Sequence, residues 1–346
     1  MADRVLVTGG AGYIGAVLLP VLLERGYDVR LLDRFHWGRK TISAIEDDIE
    51  IVEGDVRRLP GRVLENVDAV IHLAGLSNDP TAEYDPDANW SMNALATENL
   101  AEECIAHGIR RFSFGSSCSV YDSLPVGPVY REDVEITPRG AYASSKAYAE
   151  RALLARASSA FSPVILRQGT VYGPSPRMRY DLVVHTFLRD ALTQRRINLH
   201  GGGQMSRPLV DIRDVAEGHV RAIEADPDVV GGHIYNVVEH NYIVRDLATI
   251  VAAELTKQSI DVDLTDAPLP SIVRDYRCSN ERMTRDLGFT PSRGVREGVP
   301  ELLDYIHANG HTNFEDDWYY NIRWLERHRE FFVVPDDAPP PPSRSE

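Results

Sequence analysis

Residues 5–15 read Val5-Leu6-Val7-Thr8-Gly9-Gly10-Ala11-Gly12-Tyr13-Ile14-Gly15, and the apolar run Ala16-Val17-Leu18-Leu19 follows at once. The first three residues suit a short buried strand and the last four the opening of a helix. A chain carrying this stretch is therefore constrained to fold locally as strand, tight turn and helix. Glycines at 9, 12 and 15 meet three requirements of such a turn: a sharp reversal, close approach of backbone to a pyrophosphate, and tight packing of helix on strand. The helix N-terminus offers unpaired N–H groups and a positive dipole end to phosphates. Asp28-Val29-Arg30-Leu31-Leu32 reads as the next strand and ends in Asp33. An acid about 20 residues past the glycines accepts hydrogen bonds from the adenosine ribose hydroxyls and repels a 2′-phosphate, which favours NAD over NADP. Arg34 pulls the other way, because an arginine tolerates that phosphate. The bland reading of Asp33 is a strand-end turn residue.

Strands are expected at 4–8, 28–32, 49–53, 69–73, 111–116 and 164–167, with helices at 12–25, 88–107 and 141–157. Near-continuous apolar strands such as Ala69-Val70-Ile71 belong to a sheet covered on both faces. The alternation predicts an α/β fold with a doubly wound parallel sheet. Pro20 falls inside the first helix and costs it a hydrogen bond or a kink. From Tyr172 the rhythm changes: Gly173-Pro174-Ser175-Pro176 is a loop, 182–194 a helix, and Gly201-Gly202-Gly203 a turn. Residues 1–171 are expected to form a dinucleotide-binding domain and 172–330 mainly a smaller α/β substrate lobe. A strand at 232–237 is expected to return to the first domain. Residues 335–346, with four consecutive prolines, are too proline-rich and polar to pack and are expected to be disordered.

A net charge of −15 over 346 residues argues against nucleic acid or an anionic membrane as the main partner. Cys104, Cys118 and Cys278 stand at unrelated spacings, and the 11 histidines lack metal-ligand spacing, so neither a disulfide framework nor a metal is expected. With no secretory signal ahead of the first strand and no apolar run of about 18 residues, the cytoplasm is the expected compartment.

Tyr142-Ala143-Ser144-Ser145-Lys146 places a tyrosine and a lysine at i and i+4, on one helical face. A free phenol titrates at about 10, too high for a base at neutral pH. An ammonium one turn away, joined by the positive charge of a nicotinamide, lowers that value toward the working range. The pair suits hydride transfer at a hydroxyl-bearing carbon; alone, it reads as a solvated helical face, since the spacing is common by chance. The strand expected at 111–116 runs into the hydroxyl cluster Ser116-Ser117-Cys118-Ser119, at the carboxyl end of a strand, where open α/β sheets bind ligands.

With these motifs in order, the sequence resembles the extended short-chain dehydrogenase/reductase superfamily, in particular its NAD-dependent nucleotide-sugar epimerase/dehydratase family. The resemblance runs from about Val5 to about Ile306. Beyond the glycine motif it rests on Gly54-Asp55-Val56-Arg57, His72-Leu73-Ala74-Gly75, Asn93, Ser116 to Tyr121, Tyr142 with Lys146, Leu166-Arg167 through Val171-Tyr172-Gly173-Pro174, and Arg207 through Asp214-Val215-Ala216. It implies a Rossmann-like sheet and NAD as cofactor, held along Gly9, Gly12, Tyr13, Ile14, Gly15, Asp33, Asp55, Val56, Leu73, Ala74, Gly75 and Asn93. It further implies Ser117, Tyr142 and Lys146 as catalytic residues, Tyr142 as base and acid, and Lys146 as the residue that also holds the nicotinamide ribose. Ser117, Ser119, Thr170, His185, Arg207 and Arg274 are the implied contacts of a nucleotide-diphosphate sugar. The bland reading of Arg207 is a salt bridge to Asp211 or Asp214. A homodimer through the 88–107 and 141–157 helices, as a four-helix bundle, is implied as well.

Departures narrow the chemistry. Sugar 4,6-dehydratases of this family carry an Asp-Glu pair after the catalytic hydroxyl residue, where this chain has Cys118 and Ser119. Family decarboxylases carry glutamate where Ser119 stands. Asp122 replaces a glycine, and His185 an asparagine. The stretch 268–275 lacks the family's usual arginine pattern and leaves Arg274 as a substitute diphosphate contact. The expected activity is epimerisation of a nucleotide sugar at C4 through a transient 4-keto sugar. The alternatives are a nucleotide-sugar 4-ketoreductase, then a dehydratase or decarboxylase, and outside catalysis an NAD-sensing regulator.

Overall fold

The computed structural model describes residues 3–269 and 274–333, so the proline-rich tail and part of the 268–275 stretch lie outside the described residues. Seven strands form one wholly parallel sheet: β1 Arg4–Thr8, β2 Asp28–Asp33, β3 Glu50–Glu53, β4 Ala69–His72, β5 Arg111–Ser117, β6 Ser162–Gln168 and β7 His233–Val237. Their order is β7-β6-β5-β4-β1-β2-β3. The chain builds outward from β1 to β3, then restarts at β4 on the other side of β1. The reversal between β1 and β4 opens a crevice at their carboxyl ends, the usual ligand position in such sheets.

Both faces of the sheet are covered. Val5 and Val7 of β1 pack with Leu18, Leu19 and Leu22 of the Gly15–Glu24 helix and with Ala216, Val220 and Ile223 of the Ile212–Glu224 helix. Leu6, one residue out of step, joins Leu100 and Leu153 from the Ala96–Ala106 and Ala141–Arg156 helices on the opposite face. That alternation is the period of two of a strand, buried on both sides.

Several element boundaries differ from the sequence expectation. The first helix begins at Gly15 rather than at residue 12, because Gly9–Ile14 is occupied by the turn; Pro20 stands inside it and leaves the Ala16 carbonyl without its in-helix donor. The helix expected at 88–107 is three pieces: Pro86–Asn89, a wider π-helical segment Trp90–Leu95, and Ala96–Ala106. Wider turns of this kind are frequent where a side chain is aimed at a site, and here the segment carries Asn93. Between β2 and β3 only short 3-10 turns form, at Lys40–Ile42 and Glu46–Asp48.

The second lobe has its own core, centred on Leu188, Leu199, Leu247, Val251, Leu302 and Tyr180. Its helices Val183–Gln194, Val244–Lys257 and Val295–Ala308 surround a three-stranded sheet of Thr170–Tyr172, Ser206–Asp211 and His240–Ile243. No helix among the described residues is long and apolar enough to cross a membrane.

Candidate active site

The glycine turn is set by close contacts. Gly9 has φ +76°, and a Cβ there would lie 2.6 Å from the Ala74 nitrogen, so the turn presses directly on the loop after β4. A Cβ on Gly15 would lie 2.4 Å from the Gly10 Cα, which lets the helix start against the turn itself. Asp33 steadies the same turn: its carboxylate accepts from the Ala11 N–H at 3.0 Å and the Phe35 N–H at 2.7 Å. Burial raises its pKa, and these backbone donors oppose the rise. Tyr13 donates its hydroxyl to the Gly173 carbonyl at 2.8 Å, and Ser175 donates to the Tyr13 carbonyl at 2.8 Å. The turn is thereby sewn to the loop that opens the second lobe.

One cavity runs along this crevice. Gly9, Gly12, Tyr13, Ile14, Asp33, Asp55, Val56, Leu73, Ala74 and Gly75 line it. Asn93 is fully buried behind that wall: its amide donates to the Leu76 carbonyl and accepts from the Leu76 N–H, both at 2.8 Å. A Cβ on Gly75 would lie 2.3 Å from the Asn93 oxygen, so only glycine fits beside this clip. Asn93 thus shapes the 73–76 loop from behind. At the far end Asp55 pairs with Arg57 at 2.7 Å and with Arg34 at 2.9 Å, and Arg34 also donates to the Phe331 carbonyl at 2.7 Å. The guanidinium that complicated the choice between NAD and NADP is already engaged.

At the other end β5 delivers Ser117 and the Ala141–Arg156 helix delivers Tyr142 and Lys146. The Lys146 ammonium donates to the Gly115 carbonyl at 2.9 Å and lies 4.7 Å from the Phe114 ring centre. Burial pulls its pKa down to about 8, against the Glu150 carboxylate one turn on. The Tyr142 phenol lies beside the Ser117 side chain. Its pKa is raised above its ordinary value, because burial outweighs the Ser117 hydroxyl and the positive charge of Arg179. The Lys146 nitrogen is 6.0 Å from the Tyr142 ring centre and bonded to backbone. Beneath the pair, Glu150 and Arg167 form a buried ion pair at 2.6 Å, which Ser116 and Tyr121 complete. It fastens the tyrosine–lysine helix to β5 and β6.

The crevice has glycines where a side chain would collide and Asp33 at the end of β2, while the tyrosine–lysine pair stands by the end of β5. Comparison with known proteins decides the lineage. Residues 5–237 match the NAD dependent epimerase/dehydratase family. The chain belongs to that family. It is 27% identical to a UDP-glucose 4-epimerase of Corynebacterium glutamicum over 342 residues, 92% of this chain and 95% of that protein. It is also 27% identical to a dTDP-glucose 4,6-dehydratase of Streptomyces griseus, over 89% of this chain and 95% of that one. Among solved structures, MoeE5 in complex with UDP-glucose and NAD superposes with a TM-score of 0.76 at 27% identity, covering 89% of this chain and 99% of the other.

Within this epimerase/dehydratase family member the implied substrate contacts are less uniform. Thr170 is half-buried on its short strand, opposite Leu209. The Ser119 hydroxyl is buried without a hydrogen-bond partner among the described residues. His185 has both ring nitrogens taken by backbone, Nε2 accepting from the Gly173 N–H at 3.0 Å and Nδ1 against the Arg179 carbonyl at 2.5 Å. Burial holds it neutral, with a pKa pulled down to about 4. Arg207 forms neither salt bridge suggested by its neighbours, since Asp211 pairs with Arg213 and Asp214 with Arg293. Its buried charge faces Tyr276, Asp122 and Asp275 instead. Arg274 pairs with Asp79 and comes within 3.7 Å of Asp122. The sequence reading missed Arg177 and Arg179, which also line the crevice. Their one signal was two arginines at alternate positions directly after Gly173-Pro174-Ser175-Pro176.

Proposed function

We propose that this protein is a nucleotide-sugar epimerase acting at C4. The observation that carries the reading is the Ser117–Tyr142–Lys146 constellation at the end of β5, with no carboxylate at the two positions that follow Ser117. NAD supplies the hydride acceptor and donor. Tyr142, beside Ser117, takes the C4 hydroxyl proton as the C4 hydrogen leaves, and returns it when the 4-keto sugar has turned over. Arg179 holds positive charge near the phenol and favours its ionised form, against the burial that raises it. Cys118 is buried, with its sulfur on the Arg167 carbonyl at 3.1 Å. With Cys118 turned away and Ser119 lacking a carboxyl, no acid/base pair stands ready for loss of water.

Incubation with a panel of nucleoside-diphosphate hexoses, followed by NMR of the products, tests this. One C4 epimer should form from the other with no build-up of a 4-keto-6-deoxy sugar. Accumulation of that sugar at a comparable rate would overturn the assignment. Asp122, whose carboxyl is pushed up to about 6 by burial, would then be the acid to substitute first, because His185 is locked.

The Ala96–Ala106 and Ala141–Arg156 helices lie side by side, tied by Tyr148 and Arg156 on Glu98, each at 2.6 Å. The family resemblance is what supports a homodimer through these two helices, which sedimentation would test. Three unbridged, buried thiols suit a reducing cytoplasm.

A further inference from the structure

Arg177 is 1% exposed, yet no carboxylate pairs with it among the described residues. Its guanidinium donates to the Met178 carbonyl at 2.7 Å and to the Asn321 side-chain oxygen at 2.6 Å, both neutral, and its Nε has no partner. It lies between two indoles, 4.3 Å from the Trp37 ring centre and 5.3 Å from that of Trp318. The neighbouring cation is no help: Arg179 holds Asp181 with two hydrogen bonds and leaves Arg177 without a carboxylate of its own. A buried cation in such surroundings is strongly unfavourable unless an anion completes it.

The position says which anion. The Arg177 N–H donates to Ser175 Oγ, whose hydroxyl donates to the Tyr13 carbonyl, so Arg177 stands two hydrogen bonds from the glycine turn. It lines the same crevice as Gly9, Gly12 and Ala74, whereas Arg207 and Arg274 face Asp79, Asp122 and Asp275. What holds Arg177 is the end of the chain. Asn321 also donates to Ser77 Oγ at 2.8 Å, Trp318 to the Trp37 carbonyl at 3.1 Å, and Trp324 to the His36 carbonyl at 2.7 Å. The strap continues along the rim, where Arg57 donates to the Phe332 and Val333 carbonyls.

We propose that Arg177 binds the pyrophosphate of the dinucleotide, and that residues 318–333 hold it in place and form one wall of the cofactor site. This rests on the dinucleotide lying in the crevice described above. The test is calorimetric titration of the full-length protein, freed of nucleotide, with NAD, adenosine and UDP. Arg177→Met should weaken NAD about 10- to 100-fold, the effect of a lost charge-assisted pair, and leave adenosine and UDP unchanged. Its nucleotide-free form should melt no lower than the wild type, because an unpaired buried charge has been removed. Asn321→Ala, which keeps the cation and removes its brace, should weaken NAD by a smaller factor in the same pattern, and it decides the matter if Arg177→Met does not fold. Equal weakening of adenosine and NAD would make Arg177 a structural strut. Loss of UDP with NAD intact would assign it to the substrate. Either result overturns the proposal. Asp33→Ala is the control: if it leaves adenosine binding untouched, the placement of the dinucleotide is what has failed.

Discussion

The wall of the crevice built by β1, β2 and β4 presents backbone, whereas the wall contributed by the second lobe and the chain end presents charge. On the first wall Gly9, Gly15 and Gly75 keep side chains out, and Asp33 and Asn93 hold the loops through backbone N–H groups. On the second, Arg179 is held by Asp181 and Arg177 has only neutral partners, with its Nε left unpartnered; beyond them Arg207 and Arg274 face Asp79, Asp122 and Asp275. A wall of satisfied backbone is rigid and indifferent to the sugar. A wall of incompletely paired charges favours a ligand that completes the pairing.

The largest expected effect falls where the two walls meet. Tyr142→Phe should lower turnover by about 10² to 10⁴, the contribution of a placed general acid/base, with the melting temperature and NAD affinity preserved. Near-full activity in this variant would mean that the proton goes elsewhere.

Rigidity of the first wall is tested from below. Glu150→Ala strands the Arg167 charge at the root of the tyrosine–lysine helix and should cost about 3–5 kcal/mol of unfolding free energy in a denaturant titration. A loss below about 1 kcal/mol would show that the pair is not what fastens that helix.

Asp33→Ala should weaken NAD by roughly 1.5–3 kcal/mol in calorimetry and narrow its advantage over NADP. Arg34 is held by Asp55 and the Phe331 carbonyl, so wild-type protein should bind NADP poorly. Equal binding of both cofactors by the wild type would show that Arg34 leaves those partners.

The smallest effect probes the charged wall. Burial pushes Asp122 from 3.8 up to about 6, against the pull of Arg207. The folded state therefore favours the protonated carboxyl. The stability it contributes is full below 3.8 and is lost as pH rises through 6. Asp122→Asn should flatten that part of the stability–pH curve and stabilise the protein at pH 7 by roughly 1–2 kcal/mol, after allowance for partial exposure. An unchanged curve would mean that Asp122 is ionised throughout.

The amino-acid sequence determined the cofactor half almost completely, since its signals are local. Val5–Gly15 carries strand, turn and helix within one stretch, and Tyr142 and Lys146 need only a helix to share a face. Family membership and the parallel, doubly wound sheet followed from such signals. Other features depend on which distant segments meet. Asn93 reads as a cofactor contact until the fold sets it behind the 73–76 loop, bonded to Leu76. His185 reads as a substrate contact until Gly173 and Arg179 take both its nitrogens. Arg177 reads as a loop arginine, because Asn321 and Trp318 lie more than a hundred positions away in the sequence. Only the tertiary structure decides whether a buried charge has a partner: hydrogen bonds and ion pairs act over a few ångströms of space, whatever the separation along the chain.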